Sequence, residues 1–149
     1  MDAKAKREAA GYHEAGHAVI GIQLGATLRS VQFDGEGIGQ CIFNRNTLIH
    51  ENEIRIAMAG PAAEYMYCHS AEKVFSLDNC NASAKDLKDV DDYCESFRPE
   101  QRQHVKDEHW AATCQMLLSN WPSVHRVAAR LIEHEGPYLL GTAITELIE

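Results

Sequence analysis

The run YHEAGHAVIG, residues 12–21, constrains this chain more than any other stretch. It contains His13, Glu14 and His17 in the H-E-x-x-H spacing of zinc hydrolases. Each residue of an α-helix advances by about 100°, so the two histidines lie about 40° apart on one face and both imidazoles reach one ion. The run therefore predicts a helix that carries two metal ligands.

The glutamate after the first histidine supplies a second part of the chemistry. A catalytic zinc ion commonly holds three protein ligands and one water molecule. Glu14 lies about 100° around the helix from His13, so its carboxylate is placed to reach that water without binding the metal. The ion acidifies the water and polarises a carbonyl group, while the carboxylate accepts the proton and passes it to the leaving nitrogen. This division of roles predicts a metallopeptidase with Glu14 as its catalytic base.

The same helix also permits a simpler interpretation. Its apolar positions are spaced three and four residues apart and lie opposite the histidines: Ala15, Ala18, Val19 and Ile22. In that case His13 and His17 lie on the solvated face of an ordinary amphipathic helix. The histidine face, however, carries Ala10, Gly16 and Gly21 in place of the Lys, Glu and Gln typical of solvated faces. These small residues favour the close approach of a second element.

Four stretches resemble, in chain order, the peptidase domain of the FtsH-type proteases, which are membrane-tethered AAA+ zinc proteases. They are YHEAGHAVIG, IRIAMAGPAAEYMY, NASAKDLKDV and AARLIEHEGPYLLGTAITELIE. The resemblance extends over nearly the whole chain from about Glu8 onward, and the first stretch is the most specific. It implies a zinc-dependent endopeptidase that cleaves peptides or unfolded polypeptides. The expected fold is mainly α (α+β), with a small β-sheet beside the active-site cleft.

The third of these stretches offers the third metal ligand. Asp86 matches the aspartate that completes the zinc site in the FtsH-type family, and a carboxylate oxygen suits zinc at about 2.0–2.2 Å. A competing interpretation makes Asp86 structural, because Ser83 followed three residues later by an acid has a spacing like that of a helix capping box. Asp89, one turn later, is a rival ligand. The letters NASAKDL also depart from the TGASNDL-like residues usual in the family.

A further acidic residue lies in an otherwise apolar stretch. Burying the carboxylate of Glu64 is costly unless it finds a partner. A zinc-bound histidine, whose second ring N–H needs an acceptor, is a suitable partner. Glu64 also matches the first glutamate of the family's A-E-E pattern. We therefore expect Glu64 to support a metal-binding histidine, with direct ligation and a surface position as the alternatives. Pro61 stands where the family usually carries arginine.

Turn signals and hydrophobic periodicity predict helices joined to a two-stranded hairpin. The predicted helices span about residues 2–24, 47–68, 82–97, 100–119, 122–136 and 141–149, the second being interrupted at Gly60 and Pro61. The predicted strands span 28–33 and 39–44, on either side of a turn at 35–39. In the FtsH-type domain this segment includes an edge strand beside the active site, and in many zinc peptidases such an edge pairs with the substrate backbone. An ordinary hairpin that covers the core is the alternative.

Composition narrows the class of protein. A formal net charge of −8 argues against nucleic acid as a partner, because phosphate binding needs clustered Lys and Arg. The longest apolar runs are far short of the ~18 to 20 residues that span a bilayer, and the first residues lack the apolar core of a signal peptide. The cysteines are odd in number and form no C-x-x-C pair: Cys41, Cys68, Cys80, Cys94 and Cys114. We therefore expect a single domain over residues 1–149 that is cytoplasmic and not inserted in a membrane.

The resemblance also bears on partners. No G-x-x-x-x-G-K-[ST] phosphate loop occurs in the chain, so we expect no ATPase of that kind within it. A peptidase of this type without its own ATPase cannot unfold stable substrates. Either it degrades peptides and loose chains, or it works with an unfoldase encoded elsewhere. The resemblance further implies a homo-oligomeric ring of six subunits.

Two non-enzymatic alternatives stay open from the sequence. The first is a non-catalytic, zinc-stabilised adaptor that binds polypeptide or an ATPase partner without cutting. The intact Glu14 argues against it, because a structural zinc site needs no base and is usually closed by a fourth protein ligand. The second is a metal-free helical interaction module.

Overall fold

Helix α1 (Ala3–Gln23) forms the centre of the fold, and α2 and α5 pack against it most extensively. The computed structural model describes residues 2–34, 39–69 and 76–148. In chain order the elements after α1 are β1 (Leu28–Phe33), β2 (Gly39–Phe43), α2 (His50–Cys68), α3 (Ala84–Cys94), α4 (Arg102–Ser119), α5 (Trp121–Glu133), β3 (Tyr138–Leu140) and α6 (Gly141–Thr145). The predicted mainly helical fold with a small sheet is confirmed for these residues.

Local signals set the limits of α1. The Asp2 carboxylate accepts a hydrogen bond from the Ala5 N–H at 2.7 Å and caps the first turn. The helix ends before Gly25, whose φ of +92° is a conformation that favours glycine. All residues from 9 to 21 are buried. The predicted helix at 2–24 is confirmed to within one residue at each end.

Helix α2 is continuous through Pro61, so the predicted interruption at Gly60 and Pro61 is wrong. Proline lacks the N–H that would bond the carbonyl four residues earlier, and it costs about 3 kcal/mol inside a helix. Ile54 and Met58 are fully buried on the same helix, and burial of such a side chain contributes about 1.5–3 kcal/mol. Burial of several such residues outweighs the local cost of the proline.

The sheet has the order β2–β1–β3, and both strand pairs are antiparallel. The middle strand β1 buries Leu28, Val31 and Phe33 in the core. The predicted hairpin of β1 and β2 is confirmed, but its predicted turn at 35–39 lies outside the described residues except for residue 39. Strand β3 was not predicted. It has three residues and is defined by pairing with β1, which is distant in sequence, so its own residues carry no periodic signal.

The remaining helices differ from the prediction mainly at their ends. A 3-10 turn (Arg45–Thr47) precedes α2, and another (Pro99–Gln101) precedes α4. Helix α3 ends at residue 94 instead of 97, and α6 ends at residue 145 instead of continuing towards 149. Among the described helices, none combines the length and the apolar character that a membrane span requires.

Candidate metal centre

Helix α1 presents His13 and His17 one turn apart in the interior of the protein. Their rings are 4.9 Å apart between centroids, and the two residues are 9% and 8% exposed. The interpretation that places them on a solvated helix face is therefore wrong. The small residues on the same face do allow a second element to approach, as expected. Gly16 faces α2, and Gly21 faces the Phe43 ring of β2.

Each histidine ring is held through its Nδ1 atom by a different kind of acceptor. The Nδ1 of His13 lies 2.9 Å from Oε1 of Glu64. The Nδ1 of His17 lies 2.6 Å from the main-chain oxygen of Ile56. An Nδ1–H bonded to oxygen leaves the lone pair of Nε2 for a metal, and such a partner fixes the tautomer and the ring orientation. The structure thus places Glu64 in contact with His13, one of the two predicted metal ligands.

Asp86 reaches the same point from the first turn of α3. Its Oδ2 is 3.1 Å from Nε2 of His13, and its Oδ1 is 3.4 Å from Nε2 of His17. The same residue completes a capping box, because the Asp86 N–H donates to Oγ of Ser83 at 3.0 Å and the Ser83 N–H donates to Oδ2 at 3.3 Å. The two interpretations of Asp86 are therefore compatible. The cap fixes the carboxylate where it faces both histidines.

These three residues form a cluster that could hold a metal ion. One ligand atom each from His13, His17 and Asp86 all lie within 4.8 Å of one another. The two carboxylate oxygens of Asp86 face the two Nε2 atoms separately, at 3.1 Å for His13 and 3.4 Å for His17. In the described residues no further His, Cys, Asp or Glu joins this cluster. Asp89, the rival ligand, instead pairs with Lys85 at 2.7 Å.

The electrostatics of the centre favour a proton where the metal would bind. Burial lowers the pKa of His13, but hydrogen bonds to Asp86 and then Glu64 outweigh this effect and raise it to about 10. Burial raises the pKa of Asp86, but hydrogen bonds from the two histidines outweigh that effect and hold it well below its ordinary value. A metal would replace this proton as the positive charge between the same groups.

The three donor groups lie on the wall of a cleft of about 790 Å³. Glu14 lines the same cleft, is 6% exposed and does not belong to the donor cluster. Strand β2 forms part of the wall through Gln40, Cys41 and Phe43. In the described sheet β2 is an edge strand, paired only with β1.

Two glycines make room for the functional side chains. A Cβ at Gly60 of α2 would lie 2.2 Å from Nε2 of His17. A Cβ at Gly39 of β2 would lie 2.6 Å from Cγ and 2.9 Å from Oε2 of Glu14. Real Cβ atoms essentially never approach this closely. The ring of His17 and the carboxylate of Glu14 therefore occupy spaces that any other residue at these positions would fill.

Sequence reasoning did not identify Cys41, Gly39 or the carbonyl of Ile56 as parts of the centre. The thiol of Cys41 lies 3.3 Å from the main-chain oxygen of Glu14 and 3.7 Å from its Oε1. The alternation of side chains along β2 places Gly39 and Cys41 on one face and is the signal that could have found them. The carbonyl of Ile56 carries no side-chain signal.

Comparison with known proteins does not assign this chain to a family. No protein-family model matches the chain, and no curated protein matches it. The residues of the centre are therefore the basis on which chemistry can be assigned to this protein.

Proposed function

We propose that this protein is a zinc-dependent metalloendopeptidase that hydrolyses peptide bonds in peptides or unfolded polypeptides. One observation carries the proposal: three metal donors converge on the wall of a cleft that also holds a separate, buried carboxylate. The donors are His13, His17 and Asp86, and the carboxylate is Glu14. Because no fourth protein donor joins the cluster in the described residues, a bound zinc ion would keep one position for water, as in catalytic rather than structural zinc sites.

The chain's own residues have distinct roles in this proposal. A bound zinc ion would supply a Lewis acid that polarises the peptide carbonyl and acidifies water. Glu14 accepts the proton of the attacking water and returns it to the leaving amine nitrogen. Glu64 and the Ile56 carbonyl hold the two imidazole rings, so that their Nε2 atoms need not reorient when metal binds.

The form of the cleft supports an extended polypeptide as the substrate. Main-chain groups on the free edge of β2 can pair with the main chain of a substrate strand, whatever its side chains. Most strands of a folded protein are already paired with their neighbours, so their main-chain groups are not available for such pairing. Peptides and unfolded polypeptides are therefore the substrates we propose.

The resemblance to FtsH-type peptidases supports the same activity and extends it to partners. We propose that stable substrates are first unfolded by an ATPase, as the resemblance implies. A homo-oligomeric ring and action in the cytoplasm are further parts of this proposal. Measurement of casein degradation with and without an added unfoldase would address the first of these points.

The decisive test combines zinc quantification with cleavage of unstructured casein, in the presence and absence of a chelator. We expect close to one zinc ion per chain and cleavage that the chelator abolishes and added zinc restores. Glu14→Gln should lower the cleavage rate by at least about 100-fold, the usual contribution of a general base, and leave the zinc content unchanged. Glu100→Gln changes an exposed glutamate outside the cleft and is the control. Cleavage at the normal rate by Glu14→Gln would reject the assigned role.

A zinc-stabilised adaptor is the second candidate, and one observation favours it. The donors come from α1 and α3, so a bound ion would join helices that are distant in sequence and stabilise the fold. Bound zinc that raises the melting temperature, without any cleavage of casein by the wild type, would support the adaptor. Protein without zinc, purified without added metal and unresponsive to it, would support the metal-free interaction module.

A further inference from the structure

The thiol of Cys41 is the polar side-chain group of β2 that contacts Glu14. Its Sγ lies 3.3 Å from the main-chain oxygen of Glu14 and 3.7 Å from Oε1 of the same residue. These distances suit the long hydrogen bonds that sulfur donates. Burial, and then the charge of Glu14, raise the pKa of this thiol well above its ordinary value, so it carries a proton to donate.

Gly39 bounds the other side of the same carboxylate. Residues two apart on a strand face the same way, so Gly39, Cys41 and Phe43 all face α1. The position where Gly39 would carry a Cβ is 2.9 Å from Oε2 of Glu14, and the Phe43 ring lies against Gly21 of α1. One oxygen of the carboxylate thus lies near Cys41, and the other lies near the main chain at Gly39.

We propose that Cys41 is a positioning residue for the catalytic base. Its S–H donates a hydrogen bond to Glu14 and, together with the close main chain at Gly39, holds the carboxylate in one orientation on the cleft wall. This inference rests on the proposed peptidase function, because it assigns Cys41 a role through Glu14. General-base catalysis depends on that orientation, since the base has to lie within hydrogen-bond reach of the proton it removes.

The choice of residue at position 41 separates the hydrogen bond from the volume of the side chain. Cys41→Val keeps an apolar side chain of similar size and removes the donor. Cys41→Ser keeps a donor on a shorter bond to Cβ. The matched control is Cys114→Ala, because Cys114 is also partly buried but lies on α4 outside the cleft.

The kinetic test compares casein-derived peptide cleavage in these variants. We expect Cys41→Val to lower kcat by about tenfold, to change KM by less than about twofold and to retain full zinc content. Cys41→Ser should recover part of the lost kcat, and Cys114→Ala should behave as the wild type. A normal kcat in Cys41→Val, or equal losses of kcat in the Val and Ser variants, would overturn the proposal.

A second test does not depend on activity. The S–H stretching band in the infrared spectrum shifts when a thiol donates a hydrogen bond, and the band of Cys41 is assigned by its loss in Cys41→Val. In the metal-free protein, we expect Glu14→Gln to shift this band towards that of a more weakly bonded thiol. An unchanged band would show that the thiol bonds only the main-chain oxygen, which would overturn the role in orienting the carboxylate.

The two tests separate this inference from the proposed function. Absence of any zinc-dependent cleavage by the wild type would reject the peptidase. Cleavage by the wild type that Glu14→Gln abolishes and Cys41→Val leaves intact would reject the role of Cys41 alone.

Discussion

Two regions of the molecule supply the groups that could hold a metal ion, and they position these groups by different means. The packed pair α1 and α2 carries both histidines in the interior, where the helices approach so closely that a Cβ at Gly16 would lie 2.3 Å from the Ala59 carbonyl oxygen. The start of α3 carries Asp86 on a short helix with few buried residues, and its position depends on the capping box with Ser83. Core packing therefore places two of the candidate metal donors, and a local cap places the third.

The difference indicates which changes the centre tolerates. A side chain placed by core packing moves only when the helices move. Substitutions in that region therefore affect the whole fold. A side chain placed by a cap depends on one or two hydrogen bonds, each contributing about 1 kcal/mol. We therefore expect large effects from changes between α1 and α2 and smaller ones from changes at the α3 cap.

A substitution at the contact between α1 and α2 should have the largest effect on the centre. We expect Gly16→Ala to lower the free energy of unfolding by about 3 kcal/mol, because the new Cβ meets main-chain atoms of α2 that cannot rotate away. Zinc content should fall with stability, since both histidines lie on α1. Urea unfolding of the metal-free protein and metal analysis measure the two effects.

Gly11→Ala is the control for that experiment. A Cβ at Gly11 would lie 2.6 Å from an atom of the Ile132 side chain, which can adopt another rotamer. The expected loss is about 1 kcal/mol or less, and part of it is offset by the better helix propensity of alanine. Equal losses in the Gly16 and Gly11 variants would contradict the importance of main-chain contact between α1 and α2.

Comparison of Asp86 with Asp89, both on α3, tests which of them binds the metal. Asp86→Asn should weaken zinc binding by more than about 100-fold, because it removes the charged donor that faces both histidines. Asp89→Asn is the control, since Asp89 also lines the cleft but pairs with Lys85. Competition with a chromophoric chelator measures both affinities. Loss of zinc from Asp89→Asn with retention by Asp86→Asn would reverse the assignment.

The support of His13 is expected to have an intermediate effect. Glu64→Gln removes the charge that bonds Nδ1 of His13 and should weaken zinc binding by about 10- to 100-fold. Glu53→Gln changes another glutamate of the cleft wall, one that contacts His50 instead, and should leave the affinity unchanged. Titration of the metal-free proteins with zinc compares the two. An unaltered affinity in Glu64→Gln would show that the contact with His13 does not assist metal binding.

The cap of α3 should give the smallest change. Ser83→Ala removes the hydroxyl acceptor of the Asp86 N–H and is expected to cost about 1 kcal/mol of stability, with a modest loss of zinc affinity. Ser76→Ala is the control, because Ser76 forms a similar box around Leu77–Asn79, none of whose residues belongs to the donor cluster. Thermal unfolding with and without zinc measures both the loss of stability and the loss of zinc affinity. A loss of zinc affinity as large as that of Asp86→Asn would mean that the cap, and not the carboxylate, controls the site.

Helix α1 illustrates what the sequence could predict. The placement of His13, Glu14 and His17 on adjoining parts of one helix follows from the helical repeat, which is a property of the local backbone. The predicted helix and the hairpin after it are both present, because each follows from a local pattern in the sequence. The small residues on the histidine face also correctly indicated an approaching element, because a helix can come close only where side chains are short.

Asp86 and Pro61 illustrate where local patterns stop being decisive. The spacing from Ser83 fitted a cap and the resemblance fitted a ligand, and the sequence could not show that one carboxylate both caps α3 and faces the two histidines. The proline predicted an interruption of α2, because its local cost is evident from sequence, whereas the burial that offsets this cost depends on the packing of α1. Strand β3 escaped prediction because only its partner β1 defines it.

The sequence by itself determined the helical face with two imidazoles and a neighbouring carboxylate, since backbone geometry relates residues three and four apart whatever surrounds them. Only the tertiary structure decided that Asp86, Glu64 and the thiol of Cys41 meet that face. These groups come from three other elements, and their convergence depends on how helices and strands pack. Packing is set by contacts between residues distant in the chain, and local periodicity does not reveal these contacts.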